Sequence, residues 1–188
     1  MAKTVRDLIS RLDTSSDKAA EKVITKLVKL SRQAVPELIK AVSDQSRPRI
    51  RKWSLQALGA IGDKAAAPVL MKALKDDRMT VKLHAIRSLA RMRHKPATRA
   101  ISRLLANGSG GIRVNAIDAL IELNAQSSAS LIIKALSDEQ WYVRQHAARA
   151  CRELGIKDSV SKLKRLLKDE KRKAVQLEVR MALEKLYT

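Results

Sequence analysis

Lys72, Arg103, Lys134 and Arg165 follow one another at 31-residue intervals, and Lys40 precedes Lys72 by 32; Lys40, Lys72 and Lys134 are flanked by apolar residues on both sides, while Arg103 and Arg165 have one on their C-terminal side, Leu104 and Leu166. Arg99 stands four residues before Arg103. A row of long cations is suited to neutralising an extended anion, either phosphates or carboxylates. The same side chains can also cover apolar surface with their stems while their heads stay in water. Trp53, His84, Asn115 and His146 form a second column at the same interval. A metal needs its ligands around one point, whereas these are each one repeat apart, so no metal site is expected there. Nor is there a Gly-rich phosphate loop, a Ser/His/Asp arrangement or a close pair of carboxylates; Gly108-Ser109-Gly110-Gly111 reads as a flexible turn. The expectation is a protein without catalytic residues and without a cofactor.

The elements that position these residues are helices. The 188 residues include 39 Lys plus Arg against 19 Asp plus Glu, four aromatic side chains, six Gly and four Pro. An apolar fraction of 45% supports a core and argues against disorder, while the scarcity of Gly and Pro argues against a sandwich or barrel. Cys151, the single cysteine, excludes a disulfide framework and is expected in the core. No window approaches the length of a spanning helix and Met1 to Ser10 lacks a continuous apolar stretch, so a cytoplasmic protein with no membrane span is expected. The net charge of +20 is unevenly placed: Arg78 to Ile117 contains nine cations and no carboxylate. Self-neutralising helix faces do not look like that, and unpaired like charges suggest an anionic partner.

The period runs through the apolar residues too. Leu55, Ile86, Ile117 and Ala148 are 31 apart, as are Leu58, Leu89, Leu120 and Cys151, and Leu74, Leu105, Leu136 and Leu167. Gly62, Arg93, Asn124 and Gly155 mark a turn inside each copy, where a left-handed residue would end a helix. Steps of three and four residues on either side of that turn give two amphipathic helices per copy. A divergent earlier copy carries Ile24 and Leu27, and half copies stand at both ends. The expected organisation is one domain, 1–188, with an N-terminal cap helix 3–13, repeats at about 17–44, 47–76, 78–107, 109–138 and 140–169, and a C-terminal cap helix 174–187.

The recurring pattern Val-Arg-x-x-Ala, then Leu, Gly and Leu-x-x-Ala-Leu-x-Asp resembles the HEAT repeat, in the short variety named after the phycobilisome lyases. The resemblance implies an all-α, right-handed α-solenoid of about five helical hairpins with half-repeat caps. It implies a structural ladder between neighbouring repeats, drawn from Asp76, Lys82, Asn107, Arg113, Asp138 and Arg144, with cation and partner six residues apart across each junction. It also places the second helices on a concave surface, which makes Lys40, Lys72, Arg99, Arg103, Lys134 and Arg165 the candidate binding residues. The expected function is a monomeric, non-catalytic scaffold that engages an acidic protein segment. The alternative is sequence-nonspecific binding of a nucleic acid phosphate backbone. Further from this reading stand a bilin lyase or isomerase subunit and a HEAT-like DNA glycosylase. The first would need a tetrapyrrole pocket, of which the sequence gives no sign, and the second an aromatic-lined cleft, for which Trp53 and Trp141 lie too far apart.

Overall fold

In the computed structural model, which describes residues 2–187, the described residues form helices joined by short turns, with no strand among them. The helices are α1 (Ala2–Ser10), α2 (Asp17–Leu30), α3 (Val35–Ser43), α4 (Pro48–Ile61), α5 (Ala67–Ala73) and α6 (Met79–Arg91). They continue as α7 (Thr98–Asn107), α8 (Gly110–Glu122), α9 (Ala129–Ala135), α10 (Trp141–Glu153), α11 (Val160–Asp169) and α12 (Lys173–Tyr187). The chain resolves into two compact units, residues 1–94 and 95–188, and the division falls between the two helices of the third predicted repeat.

Local chemistry sets the ends of these helices. Ser16 caps α2 by accepting from the Ala19 N–H at 3.3 Å. Pro48 opens α4, where a missing N–H costs nothing. Positive φ values recur with the repeat period, at Ser31, Gly62, Arg93, Asn124 and Gly155. Beyond the last three, the N–H groups of His94, Ala125 and Ile156 reach back to Leu89, Leu120 and Cys151 at 2.9–3.0 Å, which satisfies carbonyls the helix would leave open.

In the first unit, α2, α4 and α6 pack side by side as one layer, and α1, α3 and α5 form the other. In the second unit, α8, α10 and α12 form the first layer, with α7, α9 and α11 against them. The layers meet over Leu55, Leu58, Leu70, Ile86 and Leu89 in the first unit and Ile101, Ile117, Leu120 and Ile132 in the second, all fully buried. Cys151 is buried in its column, and burial pushes its thiol up to about 11. Leu167 is only half-buried, unlike Leu74, Leu105 and Leu136, because α11 is the last helix of its layer among the described residues.

The first layer closes through small residues. Ser54, Ala57, Ala85 and Ser88 are buried in the first unit, as are Ala116, Ala119, Ala147 and Ala150 in the second. Ser88 donates from Oγ to the Leu55 carbonyl at 2.8 Å. At Gly59 a Cβ would lie 2.5 Å from the Ser88 Cβ, so α4 and α6 approach too closely for any side chain there.

Candidate functional site

The arginines at the starts of the first helices are occupied with structure. Arg51 donates from Nε to the Val42 carbonyl at 2.9 Å and from Nη2 to the Asp76 carboxylate. Arg113 donates to the Gly108 carbonyl at 2.8 Å and to Asp138 at 2.7 Å. Arg144 donates to the Asp138 carbonyl at 2.8 Å and, through Nε, to Glu170 at 2.7 Å. Each guanidinium therefore ties the end of the preceding second helix, through a carbonyl, to the end of its own, through a carboxylate.

This corrects the expected six-residue pairing. Asp76 does not pair with Lys82, which is half-exposed and makes no ion pair among the described residues. Asn107 does not pair with Arg113; its amide donates to the Arg103 carbonyl of its own helix at 3.3 Å. The side chain that closes each ladder step lies 25 or 26 residues after its arginine, because the second helix folds back antiparallel and brings its end beside the start of the first. The reach-back to the previous junction goes to a backbone oxygen. Glu170, a ladder member the column pattern passed over, stands one residue beyond the Asp169 position. Burial opposes the charge of Asp76, but the Arg78 N–H and the Arg51 guanidinium outweigh it and hold the carboxyl below its ordinary range. The same balance holds for Glu170, with the Arg172 N–H and Arg144 in those roles. Asp138 raises Arg113.

The candidate binding cations all lie exposed on second helices: Lys40 and Lys72 in the first unit, Arg99, Arg103, Lys134 and Arg165 in the second. Lys40 lies 2.9 Å from Glu37, a carboxylate that Arg6 also reaches at 3.1 Å. Arg165 is 3.9 Å from Asp169 and its side chain is 87% exposed, so that contact is weak. Lys72, Arg99, Arg103 and Lys134 make no ion pair with any described residue.

Each unit also holds a groove in this layer that the sequence did not show. In the first unit a cavity of about 410 Å³ lies between α3 and α5, lined by Val42, Val69, Arg51, Lys72, Lys75 and Arg78 and by the acids Asp76 and Asp77. In the second unit a cavity of about 700 Å³ lies between the end of α9 and α11, lined by Leu136, Leu166, Arg144, Lys162 and Arg165 and by the acids Asp138 and Asp169. Arg51 and Arg144 occupy the same position three repeats apart, and so do Lys72 and Arg165.

The Trp53 column divides. Trp53 is buried, donates to the Thr14 carbonyl at 3.3 Å, and meets His84 edge-on at 5.9 Å. Burial, helped by the Lys52 and Arg87 charges, pushes His84 down to about 4. In the second unit the Asn115 amide donates to the Gly111 carbonyl at 2.8 Å, and His146 Nδ1 lies 2.7 Å from Asp118, which Arg149 also holds at 2.6 Å. Trp141 is partly exposed beside Tyr142, with the Arg172 guanidinium 6.0 Å from its ring. Among the described residues no helix is long and apolar enough to cross a membrane.

A sequence-family model described as HEAT repeats matches residues 5–90 and 97–184. No curated protein matches significantly. Among solved structures, a designed armadillo repeat protein in complex with the peptide (KR)4 superposes with a TM-score of 0.68 at 18% identity, over 96% of this chain and 98% of that one. The complex of CpcE and CpcF of phycocyanin lyase from Nostoc sp. PCC7120 gives a TM-score of 0.65 at 23% identity, over 91% and 73%. An engineered protein gives 0.64 at 20% identity, over 98% and 96%. At these identities the likeness establishes a shared repeat-solenoid fold.

Proposed function

The chain belongs to the HEAT-repeat family, and from that premise we propose a non-catalytic binding scaffold whose second-helix faces engage an acidic protein segment. The observation that carries this reading is the repeated groove. In both units a cation of the candidate set, Lys72 or Arg165, lines a cavity that also has apolar wall residues, where the structural arginine and the carboxylates at the ladder already engage one another. An apolar wall with an exposed cation suits a peptide that alternates carboxylates with apolar side chains. Structural neighbours that include designed armadillo proteins for modular peptide recognition support a peptide as the occupant of such a layer. The net charge of +20 favours a second reading, attachment to a nucleic acid backbone.

Titration of the full chain with a mixed Glu/Leu peptide, duplex DNA, single-stranded DNA and RNA over a range of salt separates the two. Replacing Arg103, Lys134 and Arg165 by Gln should weaken the peptide about tenfold, since exposed ion pairs contribute about 0.2–1 kcal/mol each. Replacing Lys22, Lys26 and Lys29 on α2 removes the same charge and should change affinity less than twofold. Equal losses in both triple variants would sink the second-helix site. Tighter binding of duplex DNA, with a log-log salt slope near −4, would transfer the function to nucleic acid.

A further inference from the structure

Four positions on α4 and α6 have counterparts two repeats later on α8 and α10: Gln56 and Asp118, His84 and His146, Arg87 and Arg149, Arg91 and Glu153. Across α8 and α10 a carboxylate occupies the middle of this set. Asp118 Oδ1 lies 2.7 Å from His146 Nδ1 and 2.6 Å from Arg149 Nη2. Across α4 and α6 the uncharged amide of Gln56 stands at the carboxylate's position. The same residues, Gln56, His84, Arg87 and Arg91, together with Ser88, line a cavity of about 180 Å³. Two guanidinium groups and an imidazole thus border a space that has no acidic lining residue, where the equivalent helices supply one internally.

We propose that the α4/α6 cavity binds a carboxylate of an acidic protein segment, held by His84 and Arg87 as Asp118 is held by His146 and Arg149, with Arg91 as a second cation. Hydrogen bonds from a guanidinium to a carboxylate are charge-assisted and short, as the Arg149 distance illustrates. A guanidinium carries five N–H donors, so Arg87 can serve this acceptor beside others. Arg91 stands where α10 carries Glu153, which turns the local balance further toward an external anion. The site lies in the first-helix layer and does not rest on the second-helix reading above.

The surroundings of His84 make the binding pH-linked. Lys52 from α4 and Arg87 from its own helix disfavour the imidazolium, while Asp17 from α2 favours it; Asp17 is also 3.8 Å from Lys52. With burial added, the free ring stays neutral down to about pH 4. A carboxylate in the cavity favours the protonated ring and raises its pKa. Binding therefore takes up a proton, and affinity increases as pH falls from 7 toward 5.

Trp53 provides the readout, because it touches His84 and becomes the sole tryptophan once Trp141 is replaced by Phe. The probe is acetylated octaglutamate, titrated into the full-length Trp141→Phe protein and followed by Trp53 fluorescence, with inorganic phosphate in parallel. Saturable response is expected at pH 7, several-fold tighter at pH 5.5. Gln56→Asp places an internal carboxylate as in α8, so it should weaken the probe at least tenfold and raise the His84 pKa, measured by NMR without peptide, by about two units, the shift that a several-fold gain at pH 5.5 requires. Arg91→Gln should weaken the probe about threefold. Lys40→Gln with Lys72→Gln should leave the Trp53 response unchanged while reducing total peptide bound, which separates this site from the second-helix layer. The proposal is overturned by no Trp53 response, by a Gln56→Asp protein that binds as the parent does, or by an unmoved His84 titration. Phosphate saturating at lower concentration than the peptide overturns the carboxylate assignment.

Discussion

Arg51 on α4 and Arg113 on α8 stand two repeats apart, and each joins a backbone carbonyl to a second-helix carboxylate. Gln56 and Asp118 are separated by the same interval on the same two helices, yet one borders an open cavity and the other is held by a histidine and an arginine. The inner side of a first helix is fixed by the need to satisfy buried groups at a junction, and a change there is penalised wherever it occurs. The outer side meets water, where an acid can be exchanged for an amide at little cost to folding. Repeats that share a core can therefore diverge in what they attract, and the α4/α6 and α8/α10 pairs have diverged in charge.

The largest effect is expected where the two pairs differ in helix approach. Gly59 faces Ser88 with no room for a Cβ, whereas its counterpart on α8 is Ile121. Gly59→Ile should cost about 3 kcal/mol or more by overpacking, despite its better helix propensity. Ile121→Gly should cost about 1.5 kcal/mol, about 0.5 from helix propensity and the rest from the lost burial of a half-buried side chain. Urea unfolding of both variants checks the asymmetry, and equal losses would mean that the two helix pairs approach alike.

Next come the ladder arginines, where the pairs should behave alike. Arg51→Met and Arg113→Met each strand a largely buried carboxylate, Asp76 or Asp138. Losing one partner of a fully buried pair costs about 3–5 kcal/mol, and the partial exposure of these reduces the expectation to about 2 kcal/mol. A loss under about 0.5 kcal/mol at either position would show that the ladder adds nothing to stability.

Much of this architecture is legible in the sequence. Leu58, Leu89, Leu120 and Cys151 lie in one buried column because a strict interval places equivalent side chains in equivalent pockets. Gly62, Asn124 and Gly155 are chemically marked for a left-handed backbone; Ser31 is not, and only the structure shows that it shares their positive φ. The ladder was half legible. A column identifies which residues repeat but not which neighbours they touch, and a spacing of six along the chain looked more local than a spacing of 25 across the hairpin. Grooves and the α4/α6 cavity were hidden for the same reason: they depend on contacts between neighbouring copies, such as Asp118 with His146, that no single column displays.

His84 offers a sharper test of the outer face. Its folded pKa of about 4 lies below the ordinary value of 6.5, so the unfolded chain binds the proton more readily. Stability should consequently be lost as pH falls from 6.5 toward 4, by about 2 kcal/mol once the full equivalent of the shift is reduced for the partial exposure of the ring. Asp76 and Glu170, held below their ordinary range, lose stability at still lower pH and add to the decline. His84→Gln should remove the part between pH 6.5 and 4 and leave the more acidic part. Thermal melts at half-unit pH steps would show it, and parallel curves for the parent and His84→Gln would contradict the buried neutral ring.

The smallest effect concerns the ends of α6 and α10. Arg93 and Gly155 are again two repeats apart and share a positive φ, 50° in one and 64° in the other. An L-residue with a Cβ adopts that conformation at a cost of about 1 kcal/mol, which glycine avoids. Arg93 is exposed and makes no ion pair among the described residues, so little is lost with its side chain. Arg93→Gly should therefore stabilise the protein by about 0.5 kcal/mol, less than the full relief because glycine also gains freedom in the unfolded chain. Gly155→Arg should destabilise by about 1 kcal/mol through the backbone alone, since a Cβ there meets nothing within 4 Å. Opposite signs for this exchange would confirm that the two turns are one conformation filled by unlike residues. A loss from Arg93→Gly would instead mean that the arginine side chain stabilises the end of α6 by more than its backbone strain costs.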